Sequence, residues 1–160
     1  MKLMSFAVPC YNSEEYMKKC IESLLKGGED VEIIVVNDGS HDNTREIAED
    51  YVRRYPSIVK AVHKENGGHG SGVNKGLELA SGLYYKVVDS DDWLDETALK
   101  TLLETIKKHR TENALPDLYL TNFVYEKVYE GSRYVRRFTK NFPVNKLFLS
   151  LIHISEPTRR

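Results

Sequence analysis

Val31-Glu32-Ile33-Ile34-Val35-Val36 is a mostly β-branched run, and Asn37-Asp38-Gly39-Ser40 follows it directly. A continuous apolar run of this kind is typical of a parallel strand that is covered on both faces. Patterns of helical period lie on either side of it, at residues 13–26 and 44–55. Strands separated by helices of about 10–15 residues imply βαβ units and a parallel sheet. The run therefore predicts an α/β fold.

The same alternation of strands and helices extends along most of the chain. Strands are predicted at residues 4–8, 31–36, 58–62, 83–88 and 118–124, with a helix after each of the first four and a hairpin at 125–138. Pro9 is expected to close the first strand. Polar, turn-forming or acidic residues follow four of the strands: Pro9-Tyr11-Asn12, residues 37–40, His63-Glu65-Asn66 and Asp89-Asp91-Asp92. Because ligands of such sheets bind beyond the carboxyl ends of the strands, these residues predict a site along one edge.

Asp89-Ser90-Asp91-Asp92 places three carboxylates within four residues at a predicted strand end. Like charges so close together persist when they are solvated or neutralised by a cation. Hard oxygen ligands on a short turn suit Mg²⁺ or Mn²⁺, and such ions keep waters and also bind a substrate's phosphates. For the isolated motif, the alternative is an acidic turn that caps the next helix.

Two further strand ends carry candidate binding residues. Asp38 can accept a hydrogen bond from a nucleobase N–H or a ribose hydroxyl, or it can belong to an ordinary turn and helix cap. Tyr11 can stack on a base, or it is simply an aromatic residue at a helix entrance.

The glycine-rich segment 66–72 allows backbone N–H groups to approach an anion at the start of the next helix. The alternative is a flexible loop, and the segment does not match the G-x-x-x-x-G-K-[ST] phosphate-binding pattern. His69 is a candidate contact for a diphosphate and Lys75 for a phosphate, although both residue types are also common as solvated side chains.

Composition narrows the class of protein. The chain has 160 residues, of which 41% are apolar and 29% charged, as expected for a globular domain with a core. A formal net charge of -1 argues against non-specific nucleic-acid binding. Cys10 and Cys20 are interpreted as thiols in a reducing compartment. No apolar run approaches the roughly 20 residues needed to span a bilayer.

Four ordered blocks together resemble the family 2 glycosyltransferases. They are Val8–Asn12, Val36–Ser40, Asn74–Gly82 and Asp89–Trp93, and the resemblance covers roughly residues 3–125. It implies a GT-A fold, an α/β architecture with a Rossmann-like, mostly parallel sheet flanked by helices and truncated on the C-terminal side. It further implies a nucleoside-diphosphate sugar as donor, a UDP-sugar first of all, and Mg²⁺ or Mn²⁺ as cofactor.

The resemblance also assigns individual residues. In that family the segment after the first strand and the aspartate of the Asn-Asp-Gly-Ser block hold the base. The donor-binding residues implied here are Pro9, Tyr11, Asn12, Asp38, His69, Lys75 and Asp89. The D-x-D motif maps to Asp89, which faces the ribose or the metal shell, and to Asp91, which binds the metal.

Two departures from the family pattern affect these expectations. Val73 stands where many members have an arginine, which leaves donor-phosphate contacts to His69, Lys75 or backbone N–H groups. Members also place a general base well downstream of the D-x-D motif, whereas Glu126 and Glu130 come early, in the predicted hairpin. Since Glu156 lies in a tail without a clean period, the base and the acceptor-binding half are expected to be absent.

The expected domain is residues 1–146, incomplete, followed by a tail at 147–160 that is either foreign or packs on a segment further downstream. The expected function is metal-dependent, inverting sugar transfer to an unknown glycan or lipid-linked acceptor in cell-envelope or exopolysaccharide synthesis. The expected location is the cytoplasm, at the inner face of the membrane for the full-length protein. Alternatives are a donor-binding fragment without catalysis, or a nucleotidyltransferase, which would need a basic triphosphate-binding loop that residues 9–12 lack.

Overall fold

Two compact units make up the chain in the computed structural model, which describes residues 1–127 and 131–138. The first unit is Met1–Asn113 and the second is Ala114–Arg160. The elements in chain order are β1 Met4–Cys10, α1 Met17–Leu25, β2 Val31–Asp38, α2 Thr44–Arg54, β3 Val59–Lys64, α3 His69–Leu79, β4 Tyr84–Val87, α4 Glu96–Thr111, β5 Phe123–Lys127 and β6 Ser132–Arg136. The expected domain boundary after residue 146 lies outside the described residues.

A four-stranded parallel sheet with the order β3-β2-β1-β4 forms the centre of the first unit. The predicted α/β fold is therefore confirmed, and the two middle strands, β1 and β2, are buried along their whole length. The chain runs outward from β1 to β3 and then returns to the other side of β1. Because such crossovers are right-handed, this reversal places α3 on the face opposite α1 and α2. The strand order thus reverses between β1 and β4, where ligands of open α/β sheets bind.

Pro9 does not close the first strand, because β1 continues through it to Cys10. Pro9 pairs in register with Val36 of β2. On the other side, the Ala7 carbonyl accepts a hydrogen bond from the Val88 N–H, just after β4 has ended. Residues two apart in a strand direct their backbone N–H groups toward the same neighbouring strand, so an N–H at position 9 would point toward β4. Because β4 ends at Val87, no β4 residue lies opposite Pro9, and the N–H that proline lacks is not needed there.

Two helix starts differ from the prediction. α1 begins at Met17, because residues 14–16 form a turn in which the N–H groups of Tyr16 and Met17 donate to the Ser13 carbonyl. The Ser13 hydroxyl does not cap α1, because it accepts from the Tyr11 N–H. α3 begins early, at His69, so that half of the predicted glycine-rich loop is helical.

The predicted fifth strand at 118–124 is a strand only from Phe123 onward. Leu118 and Leu120, which precede it, are 69% and 47% exposed. β5 pairs antiparallel with β6, and Tyr125 lies opposite Tyr134. The strand therefore begins where the hairpin partner supplies hydrogen bonds, and the predicted hairpin is present in the described residues.

Glycines let α3 pack closely on β1. A Cβ atom at Gly72 would lie 3.2 Å from Pro9 Cβ, and one at Gly76 would overlap Ala7 Cβ and lie 3.1 Å from Tyr85 Oη. Ala7 belongs to a buried strand and cannot move aside without moving the sheet. This close contact holds the start of α3 against the end of β1.

Replacing Gly76 with alanine is expected to lower the free energy of unfolding by about 2 kcal/mol, since overpacking outweighs the gain in helix propensity. Urea unfolding of the purified chain measures this change. Gly70→Ala is the matched control, because Gly70 lies in the same helix and a Cβ there would meet nothing within 4 Å. Equal stability of the two variants would contradict the packing described for α3.

A buried carboxylate, that of Glu32, joins the strands of the sheet near their amino-terminal ends. Glu32 is 2% exposed, and its carboxylate accepts hydrogen bonds from Ser5 Oγ at 2.5 Å, Lys60 Nζ at 2.8 Å and the Gly82 N–H at 3.0 Å. It also accepts from the N–H and the hydroxyl of Ser81. Burial raises the pKa of Glu32, but these donors outweigh burial and lower the pKa to about 2. The network links β1, β2, β3 and the turn before β4.

Candidate functional site

Four segments meet at the carboxyl edge of the sheet: residues 9–13 at the end of β1, 38–44 at the end of β2, 65–69 at the start of α3 and 89–94 after β4. Hydrogen bonds connect each of these segments to at least one of the others. We call this set of segments the carboxyl rim. It lies at the edge of the sheet where the sequence predicted a site, and the strand order reverses beside it.

The acidic residues after β4 form a tight turn. The Asp92 N–H donates to the Asp89 carbonyl at 2.9 Å, and all three aspartates of the turn are exposed. Partial loss of hydration raises the pKa of the Asp92 carboxyl, and the negative charges of Asp91 and Asp89 raise it further. The turn therefore concentrates negative charge at the surface, where a cation would relieve the repulsion.

His69 connects the acidic turn to the start of α3. Its Nε2 lies 2.8 Å from Asp89 Oδ1, and both side chains are more than half exposed. Two residues that the sequence assigned to donor binding are thus brought into contact. Asp91 has no hydrogen-bond or ion-pair partner among residues 1–127 and 131–138, so its carboxylate is open to a ligand.

The backbone at the start of α3 suits an anion. Gly68 has φ +83°, a left-handed conformation that glycine adopts without strain. The first intrahelical bonds are donated by Ser71 and Gly72 to the Gly68 carbonyl. The N–H groups of His69 and Gly70 precede those bonds, and the unpaired N–H groups of a helix start favour an anion.

The acidic turn is held by Ser13, just before α1, and by Cys20 within α1. Ser13 Oγ lies 2.9 Å from Ser90 Oγ, and the Cys20 thiol donates to the Asp89 carbonyl at 3.6 Å. Burial raises the pKa of both thiols, that of Cys10 to about 12, so both remain protonated at neutral pH. The cysteines therefore act as small buried side chains here, and both are free.

The segment after the acidic turn is also attached to α1. Lys19 Nζ lies 3.0 Å from the ring centroid of Trp93, a cation–π contact. The Leu94 N–H donates to Ser23 Oγ at 3.0 Å. Trp93, the last residue of the fourth sequence block, is therefore held by a lysine of α1.

Tyr11 is the exposed aromatic side chain of the rim. It is 51% exposed, and its N–H donates to Ser13 Oγ at 3.1 Å. The same Ser13 hydroxyl contacts Ser90, so Tyr11 is held two hydrogen bonds away from the acidic turn. An exposed ring on a fixed backbone is suited to stacking on a planar ligand.

Asn12 connects the loops after β1 and β2. It adopts φ +49°, its N–H donates to Ser40 Oγ at 3.0 Å, and its Oδ1 accepts from the His41 N–H at 2.9 Å. Asparagine tolerates this left-handed conformation better than most residues. The side-chain oxygen of Asn12 is therefore engaged in holding the rim together.

Asp38 is buried beneath the glycine-rich segment. It is 3% exposed, and its carboxylate accepts from Lys64 Nζ, from the Gly67 N–H at 3.0 Å and from the Gly68 N–H at 2.8 Å. Burial raises the pKa of Asp38, but the lysine and the two backbone donors outweigh it, so the pKa lies below its usual range. One lone pair of Oδ2 remains after these bonds are counted.

Lys75 is not brought to this cluster. It lies six residues after His69, about 9 Å further along the helix axis and rotated to a different face. Its Nζ lies 3.0 and 2.9 Å from the two carboxylate oxygens of Glu78. Its assignment as a donor-binding residue stays a prediction without a contact to the other rim residues.

The donor set fits a hard divalent cation that also binds a ligand. The described residues contain no group of three or more His, Cys, Asp or Glu that could hold a metal ion by themselves. Mg²⁺ typically uses one or two carboxylates, several waters and substrate phosphates. Asp91, with Asp89 beside it, can supply the carboxylates of such a site.

Three residues that hold the carboxyl rim together were not predicted from the sequence. Ser13 and Ser90 join the loops after β1 and β4, and Lys64 neutralises Asp38. The serines have no pattern of their own, although Ser90 lies inside the acidic motif. Lys64 could have been found, because it pairs in register with Asp38 once β2 and β3 are aligned.

A parallel α/β sheet with an acidic turn and a glycine-rich helix start at its strand-order reversal is an open α/β fold with a candidate ligand site at the carboxyl ends of its strands. The sequence profile of glycosyl transferase family 2 matches residues 5–158, and the chain belongs to that family. The resemblance and the assignment to glycosyltransferases are confirmed.

Curated relatives agree with this assignment. The uncharacterized glycosyltransferase EpsJ of Bacillus subtilis is 40% identical over 111 residues, 69% of this chain and 32% of that protein. The putative glycosyltransferase EpsH of the same organism is 39% identical over 124 residues, 77% of this chain and 34% of that protein. The chain thus spans about a third of the length of these relatives.

Solved structures show the same GT-A fold. Residues 1–349 of S. aureus TarS in complex with UDP are 35% identical with a TM-score of 0.60, over 69% of this chain and 33% of that one. A mannosyltransferase from Pyrobaculum calidifontis, in complex with GDP-Man and Mn²⁺, is 22% identical with a TM-score of 0.57, over 66% of this chain and 32% of that one. The second likeness shows the fold alone.

Within residues 1–127 and 131–138, none of the helices has the length and apolar character that crossing a bilayer requires.

Proposed function

We propose that this chain forms the donor-binding half of an inverting, metal-dependent glycosyltransferase that uses a UDP-sugar. The contact between His69 and Asp89 carries the proposal, because it joins the anion-favouring start of α3 to the exposed carboxylates of the acidic turn. A diphosphate needs both, a donor-rich surface for its oxygens and a cation to offset its charge. The TarS structures with UDP and UDP-GlcNAc support a uridine nucleotide as the ligand.

In this proposal each rim residue has a separate task. Tyr11 stacks on the base, and Asp38 lies beneath the base-binding region with one acceptor position left. The start of α3 and His69 contact the diphosphate, and Asp91 with Asp89 would hold Mg²⁺ or Mn²⁺. When bound, such a cation offsets the charge that develops on the departing nucleoside diphosphate.

Transfer requires a general base for the acceptor hydroxyl, and we assign none. Glu126 is exposed on β5 and lies opposite Arg133 in the hairpin. Glu130 and Glu156 lie outside the described residues. Donor binding without transfer therefore remains the alternative for this chain on its own.

We further propose that the full-length protein acts in cell-envelope or exopolysaccharide synthesis, in the cytoplasm or at the inner face of the membrane, on a glycan or lipid-linked acceptor. Support comes from relatives such as a minor teichoic acid biosynthesis protein of Bacillus subtilis, 35% identical over 111 residues.

Titration calorimetry with UDP tests the donor proposal. UDP is expected to bind in the presence of Mn²⁺ and to bind at least about 10-fold more weakly when the metal is removed with EDTA. ADP serves as the control for the base and is expected to bind more weakly than UDP. Equal affinity for UDP with and without metal would contradict a cation held by the acidic turn.

A further inference from the structure

His63 lies near the end of β3, next to β2, and both nitrogens of its ring have partners. Nδ1 lies 3.2 Å from Nδ2 of Asn37, its register partner in β2. Nε2 lies 2.7 Å from Oε1 of Glu49 in α2. The ring is largely enclosed, with its side chain 20% exposed, and Asn37 is 4% exposed. Neither His63 nor Asn37 belongs to the nucleotide contacts proposed above.

The surrounding groups permit one consistent assignment of donors and acceptors. Asn37 Oδ1 accepts from the Ser40 N–H at 3.0 Å, so the amide nitrogen of Asn37 faces His63. An amide nitrogen only donates, and Nδ1 of the ring must therefore accept. The hydrogen of the neutral ring is then on Nε2, which donates to Glu49.

The same chain of hydrogen bonds continues to the carboxyl rim. Ser40, whose N–H is held by Asn37, accepts from the Asn12 N–H through its own hydroxyl at 3.0 Å. Asn12 follows Tyr11, and Asn37 precedes Asp38. Nδ1 of His63 is thus connected by hydrogen bonds to the segments at the ends of β1 and β2, which carry the proposed base-binding residues Tyr11 and Asp38.

We propose that His63 is a positioning residue for nucleotide binding: by accepting from Asn37 at Nδ1, it fixes the amide that holds the Ser40 turn and, through it, the loop of Tyr11. This inference rests on the proposed function, because it assigns the support of that same site. His63 does not touch the nucleotide. It acts through Asn37, Ser40 and Asn12.

Two substitutions of His63 test the roles of its two ring nitrogens one at a time. In His63→Asn the side-chain amide reaches the place of Nδ1 and can again accept from Asn37, while the partner of Glu49 is lost. In His63→Gln the longer side chain reaches toward Glu49 and leaves Asn37 Nδ2 without an acceptor. His109→Gln, in α4, controls for the loss of a histidine elsewhere.

The readouts are UDP affinity by calorimetry in Mn²⁺, the melting temperature without ligand, and amide hydrogen exchange at Ser40. His63→Gln is expected to bind UDP about 10-fold more weakly than the wild type and to exchange its Ser40 amide faster, because a buried donor is left unpaired. His63→Asn is expected to remain within about threefold of the wild type in affinity, a rescue that loss of stability alone would not produce.

Wild-type UDP affinity in His63→Gln, or an equal loss of UDP affinity in both His63 variants, would overturn the positioning role. Neither result would contradict the proposal that the wild type binds UDP. Slow exchange at Ser40 in His63→Gln would overturn the positioning role as well, independently of any nucleotide. Absence of UDP binding by the wild type would instead overturn the proposed function, and the role of His63 with it.

Discussion

Replacing Asp91 with asparagine is expected to weaken UDP binding in the presence of Mn²⁺ by about 100-fold. Loss of an outer-sphere partner already costs about 10- to 100-fold in metal affinity, and Asp91 is proposed as a direct ligand. The asparagine keeps the size of the side chain but removes the charge that attracts the cation. Calorimetry with UDP, at fixed Mn²⁺, measures the change.

Asp95→Asn is the matched control for this variant. It removes the same charge four residues later, where the Asp95 carboxylate accepts from the Ala98 N–H and caps α4. Asparagine caps a helix about as well as aspartate, so both fold and UDP affinity should be preserved. Similar weakening in both variants would indicate a general effect of negative charge and would contradict a metal ligand at Asp91.

Replacing Glu32 with alanine is expected to lower the free energy of unfolding by about 3–5 kcal/mol at pH 7. The change leaves the buried Ser5 hydroxyl and the Ser81 N–H without their shared acceptor, and breaking a network around a buried carboxylate is strongly destabilising. Glu46→Gln, at an exposed position of α2, should change stability by no more than about 0.5 kcal/mol. Urea unfolding of both variants measures the difference.

The contribution of Glu32 should also depend on pH in a defined direction. Its pKa is lowered in the folded chain to about 2, from an ordinary value of 4.5. The stabilisation, about 3 kcal/mol, is therefore fully present above pH 4.5 and is lost as the pH falls toward 2. In Glu32→Gln the loss of stability over this range should be shallower than in the wild type, and an equally steep loss would contradict the lowered pKa.

Much of the fold follows from local patterns. The β-branched run of β2 and the helical patterns of α1 and α2 each depend on neighbours in sequence, and each element is present. Pro9 was misjudged because its tolerance depends on where β4 ends, which only the assembled sheet decides. The start of α3 was misplaced because glycines were interpreted as a loop, whereas they allow the helix to pack against β1.

The sequence predicted where the candidate site lies better than it predicted which residues contact one another there. Asp89 and His69 were both chosen from the sequence, and the fold places them in contact. The burial of Asp38 under Lys64 and the engagement of Asn12 with His41 depend on how the segments fold over one another. Sequence spacing does not reveal such long-range pairs. The pairing of Lys75 with Glu78 is different, because side chains three residues apart on one helix are neighbours and their spacing could have revealed it.

The central claim is that the acidic turn and the start of α3 together hold a metal-bound uridine diphosphate. Its most direct test is paramagnetic broadening of backbone amide signals by Mn²⁺ in the presence of UDP, with Mg²⁺ as the diamagnetic reference. The account predicts broadening centred on Asp89–Asp91 and His69, with the amides of Glu32 and Ser81, about 20 Å away along the strands, much less affected. Broadening centred on the Glu32 edge, or spread evenly over the chain, would contradict it.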